Sequence, residues 1–353
     1  MAGPAVNEGS GQGTAPSWRS RRRAVAILLV VVIVTYGTGV VITGAQDVLA
    51  AVDEAAVPPL GAAVLAQVVV ALAWPLVHRG SVRATGASVR YRHALNASMS
   101  AFTVSHTLPG GGALGAAVVV ERLTAAGVPA AAAFGSAALT GPVSLTTIMS
   151  FGVVGLAAAV VTGELAGAYL LVGSLLLVAL LAIVVGIVAA LRTPRLGYRA
   201  IARARRLHPR IHERADGWRE TWRRVARRGL GPAELAPVVG WSVVKWAADV
   251  ASLALVFVAF GETPRVTVLL VGFAASQVGA AVPVTPGGVG FVEGGMVTAF
   301  VALGLTLSSA TSVVVVYRLL EAWLPSVAGL PMLLRPPEPP ATEGDDPERH
   351  DVP

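Results

Sequence analysis

The chain contains no cysteine, and its single lysine, Lys245, stands against 26 arginines. The first absence excludes thiol nucleophiles, disulfides and thiolate metal sites. The second makes the net charge of +7 almost wholly guanidinium, a bias of the kind a GC-rich coding sequence produces. Charge itself is scarce: 13% of residues are charged, where a soluble domain carries about 25%. Aromatic residues make up only 6%. There is no Walker A sequence, which argues against an ATP-driven pump within the chain.

What fills the space is apolar. Of the 353 residues, 54% are hydrophobic, and the mean hydropathy is +0.69. The segments 24–46, 55–77, 94–120, 123–163, 168–191, 266–292 and 294–317 hold no Asp, Glu, Lys or Arg. A helix crosses a bilayer core with about 20 such residues. Ala, Val, Leu and Gly dominate, which suits closely packed helices rather than the alternating strands of a barrel. The composition therefore predicts an all-α, polytopic transmembrane helix bundle.

The charges report topology. Arg19, Arg21, Arg22 and Arg23 close a Gly-, Ser- and Pro-containing N-terminal segment, 1–23, that reads as disordered. The apolar run behind them is longer than a signal h-region, so an uncleaved first span with its N-terminus inside is expected. Asp47, Asp53 and Glu54 mark an outside connection, and 58–77 leads back to Arg79, Arg83, Arg90 and Arg92 inside. Spans at 130–162 and 167–191 go out and return. The connection 192–234 carries thirteen Arg between Arg192 and Arg228, against Glu213, Asp216 and Glu220. This is the strongest inside signal, and it divides the transmembrane domain 24–334 into halves 24–191 and 235–334. Trp218 and Trp222 fall four apart among the arginines, so the loop reads either as an amphipathic helix on anionic headgroups or as a solvated connector. A span at 235–260 goes out and one at 310–334 comes in. The tail 335–353, rich in Pro, Glu and Asp, is too polar and short for a catalytic domain. The positive-inside rule accounts for the basic charge, so no nucleic-acid partner is expected.

Two apolar runs are interrupted, one by Leu108-Pro109-Gly110-Gly111-Gly112 and the other within 283–290, Pro-Val-Thr-Pro-Gly-Gly-Val-Gly. Proline removes a helix hydrogen bond and glycine is a poor helix former, so both runs must break. Freed backbone groups cannot face lipid and must be buried or line a wet cavity. The 27 uncharged residues 94–120 fall short of the roughly 40 that two spans take, which predicts a re-entrant hairpin. The second segment has longer arms and is open to either a hairpin or two thin spans. The expected sum is about six full spans plus two broken hairpins, the halves forming the same unit in opposite orientations. Such inverted repeats point to a transport site near the midplane where the breaks meet; packing features or short turns are the plainer reading.

At these residues the sequence resembles the lysylphosphatidylglycerol synthase transmembrane-region family, also described as flippase-like. The string Val282 to Glu293 is similar to the family's P-x-T-P-G-G-x-G-x-x-E signature. Tyr317-Arg318-Leu319 with Trp323-Leu324-Pro325 and Gly329 is similar to its Y-R-L…W-L-P…G signature. Leu108 to Gly112 resembles the earlier L-P-x-x-x-G element less closely, having only glycines after the proline. The resemblance covers roughly 20–335 and implies an envelope membrane protein related to the translocating part of enzymes that aminoacylate phosphatidylglycerol. The cytosolic aminoacyltransferase domain is expected to be absent, and synthase activity is not carried over.

The ionisable groups within apolar segments are Glu121, Arg122, Lys245, Asp249, Glu293, Arg318 and Glu321. Lys245 with Asp249 and Arg318 with Glu321 have spacings that place each pair on one helix face, where they can self-neutralise. The functional reading has Arg318 and Lys245 hold a lipid phosphate, with Glu293, Asp249 and Glu321 orienting them or meeting a cationic headgroup. The half-helix N-termini next to the breaks at Pro286, Gly287 and Gly288 and at Pro109 and Gly110 would add backbone N–H donors. His106 reads as a structural residue or a protonatable gate. His78, His93, His208, His212 and His350 lie in polar segments without metal spacing, and neither metal nor cofactor is expected.

The favoured function is a plasma-membrane lipid translocase whose partner is a phospholipid or lipid-linked substrate, with both termini cytoplasmic and self-association left open. A scaffold or accessory subunit for an envelope lipid-modifying enzyme is the alternative. A membrane-embedded enzyme would need a general base or nucleophile, for which only Glu293 and Asp249 are available.

Overall fold

The computed structural model describes residues 53–108, 111–163, 231–280 and 286–336, with a few positions between 167 and 182. The expected first span at 24–46, nearly all of that at 167–191, the arginine loop, both terminal segments and the residues Pro109 and Gly110 lie outside the described residues.

Every described element is helical. In chain order they are α1 (Val57–Ala84), α2 (Tyr91–Thr107), α3 (Gly111–Ala125), α4 (Ala130–Val161), α5 (Pro232–Ala259), α6 (Val266–Ala280), α7 (Phe291–Ala302), α8 (Leu307–Arg318) and α9 (Leu324–Leu334). A short 3-10 turn, Pro286–Gly288, precedes α7, and a π turn, Leu319–Trp323, joins α8 to α9 without interrupting the helical run. Among the described residues four stretches are long and apolar enough to cross a membrane: α1, α4, α5 and the continuous Leu307–Leu334, of 28, 32, 28 and 28 residues. α1 and α5 each open with proline in the first turn, where a missing N–H costs no intrahelical bond. The arms of the two interrupted runs are shorter. α2 and α3 have 17 and 15 residues, and α6 and α7 have 15 and 12.

The central pair is α1 with α5, packed antiparallel along their whole length. The Ala56 N–H donates to the Ala259 carbonyl at 2.8 Å where one helix starts and the other ends. The Ser252 hydroxyl donates to the Ala63 carbonyl at 3.1 Å, and the Gln67 amide to Asp249 at 2.9 Å. At the far end Gly80 lies against Val238. The α2–α3 hairpin has its open end beside Gly80 and Val238, since α1 feeds α2 through a short turn there. The α6–α7 hairpin has its open end beside Ala56 and Ala259, where the Ser309 hydroxyl of α8 donates to Glu262 at 2.8 Å.

Each hairpin packs on a spanning helix of the other half through a glycine. α2 packs on α9, where a β-carbon on Gly329 would stand 2.5 Å from the Met99 carbonyl oxygen. α6 packs on α4, where one on Gly155 would stand 2.7 Å from Leu270 Cβ. Small residues let backbones approach in this way, which is how helices gain packing in lipid.

The two halves differ in what fills them. Around α5 to α8 the core is aromatic, with Phe257 edge-on to Phe300 at 5.2 Å and Phe273 edge-on to Trp246 at 5.9 Å. Around α2, α3 and α4 it is built from Ala, Val and Leu. These small side chains leave a cavity between the helices.

Candidate functional site

Arg318 ends α8 and is buried, and Glu293, Glu321 and Gly287 meet it from three segments. Its Nε donates to Glu293 at 2.8 Å, its Nη1 to Glu321 at 2.6 Å, and its Nη2 to the Gly287 carbonyl at 3.2 Å. Glu293 also accepts from the Gly290 N–H at 2.7 Å, reaching back from the first turn of α7 to satisfy one of its free N-terminal donors. The guanidinium therefore fastens the tip of the second hairpin to the last spanning helix. The π turn directly after Arg318 carries Glu321; one extra residue per turn at this point is a feature that recurs at functional sites.

That tip meets the other hairpin. Gly287 has φ of +58°, and a β-carbon there would stand 2.9 Å from the His106 carbonyl oxygen. His106 is the penultimate residue of α2, where the first break begins. Its Nδ1 donates to the Phe102 carbonyl at 2.9 Å, because a carbonyl can only accept, and its ring stacks on Phe102 at 4.0 Å. The first hairpin closes just beyond, with the Ser105 hydroxyl donating to the Gly111 carbonyl at 3.1 Å. The two breaks, separated by more than 170 residues of chain, are thus in backbone contact.

A second ionic group lies on α5. Lys245 donates to Asp249 at 3.0 Å. Asp249, wholly buried, also accepts from Gln67 of α1 at 2.9 Å and from the Tyr317 hydroxyl of α8 at 2.8 Å. Three donors of this kind satisfy a buried carboxylate without water. The Lys245 ammonium also sits over the Trp246 ring, 3.1 Å from its centroid, and 5.9 Å from that of Trp74. Trp246 is itself oriented by its indole N–H, which donates to the Ser144 hydroxyl at 2.9 Å.

A cavity of about 310 Å³ opens beside these groups. Its polar wall is Lys245, Glu321, Gln277, His106, His78 and Thr140, and the remainder is mainly apolar. Its lining comes from the second half of α1, from α2 and α3, from the early turns of α4 and from the middle of α5, with Gln277 of α6, Glu321 of the π turn and Pro325 of α9. It therefore occupies only the part of the molecule between the hairpin tips and the Gly80–Val238 end. Toward Ala56 and Ala259 the aromatic core closes it off.

Of the residues singled out in the sequence, Arg318, Glu293, Glu321, Gly287 and Gly288 are brought together, and Lys245 and Asp249 form their own pair. Both expected ion pairs exist. Pro286 opens the short turn of the second tip. Arg318 does not line the cavity, whereas Lys245 and Glu321 do. Two placements differ from the sequence expectation. Glu121 is exposed at the outer end of the first hairpin. Arg122 there donates to the Leu333 and Arg335 carbonyls at 2.7 and 2.9 Å, capping the end of α9. His78, expected in a polar connection, is buried because α1 continues to Ala84; its Nδ1 donates to the Trp74 carbonyl at 3.2 Å. Sequence reasoning misses Gln67 and Tyr317 as partners of Asp249. An amide within an otherwise apolar span is the available signal for Gln67, and adjacency to Arg318 the signal for Tyr317.

Among the described residues, four helices long and apolar enough to cross a membrane, with two interrupted, charge-bearing runs between them, define a multi-pass helical membrane protein. The family model of the lysylphosphatidylglycerol synthase transmembrane region matches residues 23–329, and the chain belongs to that family. It is also similar to a UPF0104 membrane protein of Pyrococcus horikoshii, 32% identical over 121 residues. That match covers 33% of this chain and 34% of the relative, so it spans about a third of the relative's length.

Proposed function

We propose that the protein is a lipid translocase of the plasma membrane, carrying a phospholipid or lipid-linked headgroup past the meeting point of two re-entrant hairpins. The observation that carries this reading is the contact of the two helix breaks at His106 and Gly287, beside a cavity whose wall bears Lys245. Hairpin arms of 12 to 17 residues favour re-entry over crossing, which takes about 20. The order of long helix, hairpin, long helix occurs twice. The α2–α9 and α6–α4 contacts through Gly329 and Gly155 correspond, and the α1–α5 pair lies between them. These correspondences support an inverted repeat, the arrangement in which broken helices build a transport site. Arg79, Arg83, Arg90, Arg92 and Arg335 gather at the Gly80–Val238 end, and Asp53, Glu54 and Glu262 at the other. By the positive-inside rule the cavity then faces the cytoplasm.

Within the site, Lys245 is the cation that meets the headgroup phosphate, using N–H donors not taken by Asp249. Arg318 keeps its role in holding the second tip, and the apolar wall of α3 and α4 accompanies the chains. Native mass spectrometry of the purified protein tests the assignment: wild type should retain phospholipid that Lys245→Met loses and Lys245→Arg keeps. Equal retention in all three would remove Lys245 from the site.

A further inference from the structure

We propose that Glu321 is a proton-binding site, and that lipid movement, on the translocase reading above, is coupled to protonation there. The starting point is the charge of the buried network. Among the described residues two cations, Lys245 and Arg318, face three carboxylates, Asp249, Glu293 and Glu321. One negative charge is left over in this largely buried group. An uncompensated buried charge is costly enough that the group normally neutralises instead.

The geometry selects which carboxylate takes the proton. Asp249 receives three hydrogen bonds, one from an ammonium. Glu293 has both oxygens occupied, by Arg318 and by the Gly290 N–H at the start of α7, where a helix N-terminus favours negative charge. Glu321 receives one hydrogen bond, from Arg318, and its second oxygen accepts none from the described residues. Glu321 also lines the cavity, so a proton can reach it. The groups that face it from the packed elements are Lys245 and Asp249 on α5, Tyr317 and Arg318 on α8, Glu293 on α7, His106 on α2 and His78 on α1. The histidines each use Nδ1 on a backbone carbonyl and pair with no carboxylate among the described residues.

The π turn converts this proton into a movement. Protonation replaces the Arg318–Glu321 ion pair with a neutral contact. A π turn holds one residue more than an α turn, and removing it rotates the following residues by about 100°, one helical step. Glu321 would then turn away from Arg318, and α9, which packs on α2, would shift with it. One proton binds the carboxylate on one side and leaves it on the other, with no other reactant.

Infrared difference spectroscopy of the full-length protein in nanodiscs, with pH as the variable, tests the site without relying on transport. Wild type should show the C=O stretch of a protonated carboxyl that Glu321→Gln lacks and the surface variant Glu234→Gln keeps. Glu293→Gln removes the surplus charge, so the pH dependence of the same band should change, whereas Glu234→Gln should leave it as in wild type. A band that persists in Glu321→Gln, or one indifferent to Glu293→Gln, overturns the proposal. In liposomes, a pH gradient should change the lipid translocation rate of wild type and leave that of Glu321→Gln unchanged. Gradient dependence surviving in Glu321→Gln overturns the coupling. A wild type that shows the band but moves no lipid refutes the translocase reading and leaves the proton site standing.

Discussion

Gly287 and His106 stand in backbone contact, joining the tips of two hairpins that enter from opposite ends of the molecule. Gly287 has φ of +58°, and a β-carbon on it would lie only 2.9 Å from the His106 carbonyl oxygen, so the contact admits no side chain.

Gly287→Ala should therefore destabilise the protein twice over. The left-handed backbone alone costs a non-glycine residue about 1–2 kcal/mol, and the clash with His106 adds to it. Gly261→Ala, at φ of +75° with open space around it, carries only the first cost. Thermal unfolding in detergent should rank wild type above Gly261→Ala and that above Gly287→Ala. Equal midpoints for the two variants would mean that the tips do not touch.

Asp249 is the residue whose loss should hurt folding most among the buried charges. Asp249→Ala leaves Lys245 buried without a counter-ion, and breaking such a pair costs about 3–5 kcal/mol. The double variant Lys245→Met with Asp249→Leu removes both charges and should recover much of the thermal stability, while staying inactive. A double variant no more stable than the single one would contradict the pairing.

The absence of native cysteine makes single-cysteine labelling clean. Ser88→Cys, between α1 and α2, and Ser308→Cys, at the start of α8, are both exposed and should react with a membrane-impermeant maleimide from opposite sides. Gly112→Cys, in the cavity wall just past the first break, should react from the same side as Ser88→Cys. Reaction from the Ser308 side would show that α2 crosses the membrane fully.

The interruptions, the crossing helices and the two ion-pair spacings are legible in the sequence because each is local. Proline and glycine break a helix wherever they stand, and residues three or four apart share a face. What is not legible depends on packing between distant segments. Gln67 meets Asp249 across 182 residues because α1 and α5 lie antiparallel in one register. Arg122 reads as an intramembrane charge until α9 is placed with its last carbonyls beside it. Arg318 is expected from sequence to face the ligand; that its fork is already filled by Glu293, Glu321 and Gly287 follows only from where the second tip folds back.

The central claim is that the protein moves lipid through the junction held by Arg318. A reconstituted-liposome assay with several fluorescent phospholipids tests it most directly. Wild type should accelerate transbilayer movement of at least one lipid, Arg318→Ala should abolish that movement, and Arg318→Lys, which keeps the charge but not the three-way fork, should retain part of it. No movement of any lipid by wild type, under any ion gradient, would contradict the account and favour a scaffold in its place; full movement in both variants would remove Arg318 from it.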